Sequence, residues 1–165
     1  MYNPPWPGRV QKSGECTLGY GKDIPAMGAH FRRWTVDLEE EFGHADITER
    51  VRELVAQSDI TTGTVTVGMT GSTCGVTTIE YESGALLDLQ RALALVAPAN
   101  DDYAHNTRWG DGNGFSHIRS ALLKPSLSIP IVESALCLGT WQQIVVLNFD
   151  NRARRREVNA VVIGE

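Results

Sequence analysis

The apolar positions of the chain follow two periods. In TGTVTVGM, Thr62 to Met69, Val65, Val67 and Met69 alternate with Thr64, Thr66 and Gly68. That period of two predicts a half-buried strand. In HADITERVRELVAQS, Ile47, Val51, Leu54 and Val55 recur at helical spacing, one apolar stripe on an amphipathic helix. Asp46, followed by Glu49 three residues later, resembles the Asp form of a capping box at its start. A second helix is predicted over ALLDLQRALALVAP, with Leu86, Leu89, Leu93 and Val96 inward and Pro98 ending it. FRRWTVDL (Phe31 to Leu38), TCGVTTIEYE, SLSIPIVE, ALCLGTWQQIVVLNF and REVNAVVIG are rich in β-branched and aromatic residues and read as strands. NFDNRAR then reads as the hairpin connection between the last two. In TCGVTTIEYE, Cys74, Val76, Thr78 and Glu80 share one face. Strands and helices do not alternate regularly, so the class is α+β with a mostly antiparallel sheet system.

Residues 1–30 stand outside this pattern. Pro4, Pro5, Pro7 and Pro25 break any period, and the stretch reads as a flexible extension before a domain at 31–165. Met27, just before the first patterned segment, is an alternative start. The 165 residues suffice for one domain with a sizeable core. No apolar run approaches the roughly 20 residues that span a bilayer, and the N-terminus has no apolar centre of the secretory kind. A cytoplasmic protein without membrane contact is expected. The net charge of −5 argues against a general electrostatic hold on nucleic acid. The basic run NRARRRE, Asn151 to Glu157, reads first as a solvated turn and strand edge, and second as a phosphate site. Cys16, Cys74 and Cys137 form no CxxC pattern. Cys74 and Cys137 lie in apolar segments and read as small core residues.

The chemistry concentrates in YAHNTRWGDGNGFSHIRSALL, Tyr103 to Leu123. The loop from Pro98 to Gly114 is long enough to be functional, and Tyr103 and Trp109 offer it apolar anchors. Gly110, Gly112 and Gly114 permit positive φ or close backbone approach. Ser116 is placed to cap a short helix from His117 to Leu123, and Arg119 sits on its first turn. Together they suggest a site for phosphate or carboxylate. His105 and His117 flank the same loop and can converge. With Glu80, Asp111 or water they make a three- or four-ligand set suited to zinc or a related divalent ion. In LGTWQQI, Trp141 reads as core or interface packing, Gly139 as a bulge, and Gln142, on the opposite side, as a pocket-lining residue. His30 and His44 carry no signal of their own.

SHIRSALL, with SLSIPIVESALCLGTWQQI downstream and STCGVTTIEYE upstream, resembles the YjbQ family from about Phe31 to Glu165. Its members are often labelled secondary thiamine-phosphate synthase. The resemblance implies a two-sheet β-sandwich of about seven strands with two main helices, assembled as a homotrimer. It also implies a polar pocket with metal-binding histidines, matched here by His105 and His117. A family glutamate matches Glu80, and Asp111 and Asn113 lie in the matching loop. Many relatives begin the strand motif with histidine, in a sequence like HTTA, where this chain has Gly71.

Three functions follow as expectations. The first is a thiamine-phosphate synthase-type transferase that joins hydroxymethylpyrimidine diphosphate to thiazole phosphate. Its catalytic residues would be Glu80 and Asp111, and its substrate contacts Asn113, Ser116, Arg119 and Gln142. A divalent metal, zinc or magnesium, would sit on His105 and His117. The second is a metal-assisted hydrolase or transferase of another phosphorylated metabolite, with Glu80 as general base. The third is a non-catalytic trimeric protein that binds a metabolite or metal.

Overall fold

The computed structural model describes residues 27–165. Its elements in chain order are β1 (Gly28–Leu38), β2 (Gly43–Asp46), α1 (Thr48–Ala56), β3 (Thr62–Thr70), β4 (Cys74–Ile79), α2 (Ser83–Val96), α3 (Ala104–Trp109), α4 (Gly114–Leu123), β5 (Ser126–Val132), β6 (Ala135–Leu136), β7 (Gln143–Asn148) and β8 (Arg154–Gly164). The strands form two antiparallel sheets, ordered β1-β8-β3-β5-β6 and β2-β7-β4. The class is α+β, as expected.

Sequence period explains the layering. Val65, Val67 and Met69 of β3 are buried, while Thr66 on the other face meets Ser128 Oγ at 2.7 Å. Ile47, Val51, Leu54 and Val55 bury the predicted stripe of α1 in the same core. The run IVVL of β7 is buried on both faces: Ile144 and Val146 join that central core, and Val145 and Leu147 pack with Phe42, Leu93 and Phe149. Such a two-sided apolar strand is what a middle layer requires. The five-stranded sheet, the three-stranded sheet and the α2/α4 layer therefore stack in that order. Among the described residues no helix is long and apolar enough to cross a membrane.

Several expectations change. Residues Gly28 to His30 belong to β1, paired with Gly164 to Val162 of β8. The proposed extension, the alternative start and Cys16 otherwise lie outside the described residues, except for Met27 itself. At α1, Asp46 Oδ1 accepts from the Thr48 backbone N–H at 2.8 Å, whereas Glu49 pairs with Arg52 and closes no capping box. The segment read as one strand after Glu133 is two, in different sheets, because the chain reverses at Gly139 to Gln142. There the Gln142 N–H donates to Gly139 O at 3.0 Å. Cys137 is exposed, while Cys74 is buried. Val96 is exposed, since α2 buries Leu86 and Leu93 and only partly covers Leu89.

The largest correction concerns NFDNRAR. It is not a hairpin: β7 lies in the three-stranded sheet and β8 in the five-stranded one, so residues 149–153 cross between layers. The basic run is in part the solvated edge expected: residues 152–155 are exposed and Arg154 to Arg156 pair with β1 alone, since the β3 ladder begins at Glu157, but Arg156 turns inward. The β3–β4 connection at residues 71–73 is a second crossing between the same two sheets.

Candidate functional site

The two crossings meet at one open cleft of about 510 Å³. One wall is built from Gly71, Ser72 and Thr73 of the β3–β4 turn, with Asp150, Arg154 and Arg156. The other carries His105, Trp109, Asp111, Asn113 and His117.

The histidine wall is shaped by local backbone chemistry. The stretch expected to be loop contains α3, which ends at Gly110 in the left-handed conformation (φ 69°), a conformation that favours glycine. The Asn106 carboxamide accepts from the Gly114 N–H at 2.8 Å and satisfies one exposed donor of α4. Gly114 is required by close approach: a Cβ there would lie 2.4 Å from Tyr103 Cβ. Tyr103 in turn donates to Pro98 O at 2.8 Å. With α3 and α4 packed this way, the His105 and His117 ring centroids lie 4.4 Å apart. His105 Nε2 lies 3.2 Å from Asp111 Oδ2. Burial opposes ionisation of Asp111, but the His105 hydrogen bond and charge, with backbone N–H donors, outweigh it and hold the carboxyl below its ordinary value. Asn151 Nδ2 donates to Asp111 O at 2.9 Å and ties this wall to the other.

The arginine wall continues the inward face of β8. Val162, Ala160 and Val158 are buried, and Arg156 follows in the same phase with 8% exposure. Its Nε donates to Asn148 Oδ1 at 3.0 Å, and its Nη2 donates to Thr73 Oγ1 at 2.7 Å and to Thr73 O at 3.2 Å. Asp150 Oδ2 accepts from Thr73 Oγ1 and from Arg154 Nε, both at 3.0 Å. Burial lowers the Arg156 pKa against the pull of Cys74 and Asp150, yet a guanidinium keeps its charge in proteins. The neighbouring Cys74 thiol is pushed up by burial, with Arg156 opposing.

Not every residue picked from the sequence reaches this cleft. His105, Asp111, Asn113 and His117 line it. Glu80 follows the far end of β4 and is exposed; at ~3.3 Å per residue it stands about 20 Å from Thr73. The structure does not bring it to the histidines. Ser116 caps nothing, because α4 begins at Gly114 with Asn113 as N-cap, and its hydroxyl is buried without a partner among the described residues. Arg119 is buried: its Nε donates to Ala97 O at 3.0 Å and its guanidinium lies over Phe115. It fastens α4 to the end of α2 rather than facing an anion. Gln142 donates to Thr78 Oγ1 at 2.9 Å in a separate small depression with Leu127 and Cys137. Trp109 and Trp141 are 65% and 70% exposed, so neither anchors a core. Thr73 and Asp150 are missed by the sequence reading, while Arg154 and Arg156 belong to the basic run whose second reading is a phosphate site.

The donors present do not fit a divalent metal. Among the described residues no three His, Cys, Asp or Glu side chains gather as a ligand set. Gly71 supplies no donor, His105 Nε2 is engaged by Asp111, and two guanidinium cations line the same cleft. Gly71 also has φ +152°, and a Cβ there would lie 2.9 Å from Arg156 Nη1 and 3.0 Å from Cys74 Sγ. Arg156 occupies the space beside Gly71.

Comparison with known proteins agrees with this architecture. A family described as UPF0047 protein YjbQ-like matches residues 32–165. A UPF0047 protein of Methanothermobacter thermautotrophicus is 33% identical over 120 residues, 73% of this chain and 82% of the relative. One from Synechocystis is 34% identical over 122 residues, 73% and 82% of the two chains. Among solved structures, a YbjQ-like protein of unknown function from Sulfolobus solfataricus superposes with TM-score 0.80 at 26% identity, over 85% of this chain and all of that one. A YjbQ/UPF0047 family protein from Clostridium acetobutylicum gives 0.72 at 29% identity, over 79% and 98%. With its fold and most of its length accounted for in this way, the chain belongs to the YjbQ (UPF0047) family.

Proposed function

We propose that the cleft binds a small phosphorylated metabolite and that the His105–Asp111 pair performs acid–base chemistry on it. The observation that carries this reading is the placement of a carboxylate-held histidine and two arginines on one cleft. Formal charges of Arg154 and Arg156 are matched by Asp111 and Asp150, so recognition rests on directed N–H donors more than on net charge. The Ser72 hydroxyl adds a neutral partner, whereas the one O–H of Thr73 is already donated to Asp150. If Nε2–H of His105 points to Asp111, Nδ1 is the basic nitrogen, and a protonated ring can return that proton to a leaving group.

Thiamine-phosphate synthase-type coupling is the specific reaction suggested by the family resemblance. There the C–O bond to diphosphate breaks, a C–N bond to the thiazole nitrogen forms, and diphosphate leaves with the electron pair. Arg154 would neutralise the departing charge, since it is the more exposed of the two arginines. The implied homotrimer belongs to the same proposal, and the exposed Trp141, Leu95 and Val96 are apolar surface for it to cover. Sedimentation as three chains of 18.1 kDa tests it.

Calorimetric titration of the full chain with diphosphate tests the binding half. Wild type should bind, and Arg154→Gln should weaken binding by about tenfold, the worth of one charge-assisted hydrogen bond. His105→Ala should keep binding but fail to complement a strain lacking its thiamine-phosphate synthase. Wild type that binds diphosphate yet never complements would leave a binding protein. Absence of any anion binding would remove the reading altogether.

A further inference from the structure

Asp150 has one oxygen more than its visible role requires. The side chain is 3% exposed and lines the cleft. Its Oδ2 carries every contact found for it: Thr73 Oγ1 and Arg154 Nε at 3.0 Å, Arg154 Nη2 at 3.0 Å, and Arg156 Nη2 at 3.7 Å. Its Oδ1 is buried and has no hydrogen-bond partner among the described residues. Asn113 Oδ1, on the facing wall of the same cleft, is a second buried acceptor in that condition. An ionised carboxylate only accepts, and an unpaired buried acceptor is costly. The arginine N–H groups call for an anion, whereas these two oxygens call for a donor.

We infer that the ligand carries a hydroxyl or amino donor beside its phosphate, and that Asp150 Oδ1 is the residue that reads it. The inference rests on the anion-binding reading and narrows it, from phosphorylated metabolites in general to those that also carry a hydroxyl or amino group. A metal cation is a poor alternative for Oδ1, because Arg154 and Arg156 already flank the same carboxylate. Asp150 is a specificity residue in this scheme and transfers no proton. Its second oxygen holds the arginine wall while the first selects the ligand.

The test is a binding panel on the full chain with ethyl phosphate, 2-hydroxyethyl phosphate, 2-aminoethyl phosphate and glycerol phosphate. These ligands share the phosphate and differ in the donor. Wild type should prefer at least one donor-bearing ligand over ethyl phosphate by about tenfold or more, the usual value of a hydrogen bond to a charged group. Asp150→Asn keeps the shape and one acceptor for Arg154 but turns an N–H₂ toward the ligand. Its preference, read as the ratio of affinities within the variant, should collapse to within about twofold. If the asparagine variant does not fold, the wild-type panel decides alone, because equal affinity for ethyl phosphate and the donor-bearing ligands overturns the inference. Equal affinity across the panel in wild type, or a preference that survives in the variant, overturns the role of Asp150 and leaves the anion site standing. Failure of every ligand to bind wild type, ethyl phosphate included, overturns the anion site itself.

Discussion

Gly71→Ala isolates the contact between the β3–β4 turn and the buried arginine. The new methyl group would lie 2.9 Å from Arg156 Nη1 and 3.0 Å from Cys74 Sγ, at a residue with φ +152°. Holding a non-glycine residue in that region costs about 1–3 kcal/mol. Relief by moving Arg156 is not free, because its guanidinium is fixed by Asn148 and Thr73, and disturbing one such bond to a buried charge costs about 1–3 kcal/mol. The sum is about 2–6 kcal/mol. Loss of unfolded-chain freedom returns about 0.4–1 kcal/mol. Gly68→Ala is the matched control: its methyl would meet Ser126 Cβ at 3.5 Å and Pro125 O at 3.6 Å, ordinary contacts, with no positive φ. Urea unfolding of both variants reads the difference, provided the slopes are equal. At a slope of about 2 kcal/mol per molar, and with the unfolded-chain gain common to both variants, Gly71→Ala should lower the midpoint by roughly 1–3 M relative to Gly68→Ala. Equal midpoints would show that Arg156 is not pressed against residue 71.

Three further outcomes are expected. Asp111 should titrate by NMR below the ordinary carboxylate value of 3.8, because its folded pKa is lowered; the stabilisation from its pair with His105 is then full above that value and is lost as pH falls through the lower one, and a midpoint at or above 3.8 contradicts the pairing. Arg119→Ala should reduce thermal stability by about 1–3 kcal/mol, since it strips Ala97 O of a buried donor, while diphosphate affinity stays within twofold; weakened binding at unchanged stability would return Arg119 to the anion site. Glu80→Ala should leave calorimetric affinity for diphosphate unchanged within twofold, given its place beyond the far end of β4, and a tenfold loss would place it at the ligand after all.

Where a segment kept one period, the sequence was readable. The alternation of Val65, Val67 and Met69 and the stripe of Val51, Leu54 and Val55 both predicted burial that the fold contains. Layer assignment was harder, because a strand's period says which residues are buried and not which sheet it joins. Hence β7 and β8 read as a hairpin although they lie in different sheets. On the site, the polar loop was legible through His105, Asp111, Asn113 and His117, which are close in sequence. Arg156 was legible in principle, since it extends the alternation of Val162, Ala160 and Val158 inward; a run of basic residues masked that phase. Asp150 and Thr73 offered no such signal, because only the crossing geometry brings them together. Ser116 and Arg119 misled for a physical reason: α4 starts earlier than the cap-like serine suggests, which turns both side chains inward.

The short links at residues 71–73 and 149–153 give the cleft a mechanical character. Each sheet is stitched to the other at this spot, by Thr73 on one link and Asp150 on the other, joined at 3.0 Å. A guest seated there touches both halves of the sandwich at their seam, so it acts as a rivet. The seam cannot gape without tearing Arg156 from Asn148 and Thr73, which leaves little ordering to be done when the guest arrives. Occupancy should therefore slow amide exchange in β3, β4, β7 and β8 together, and not only in the loop that carries the histidines.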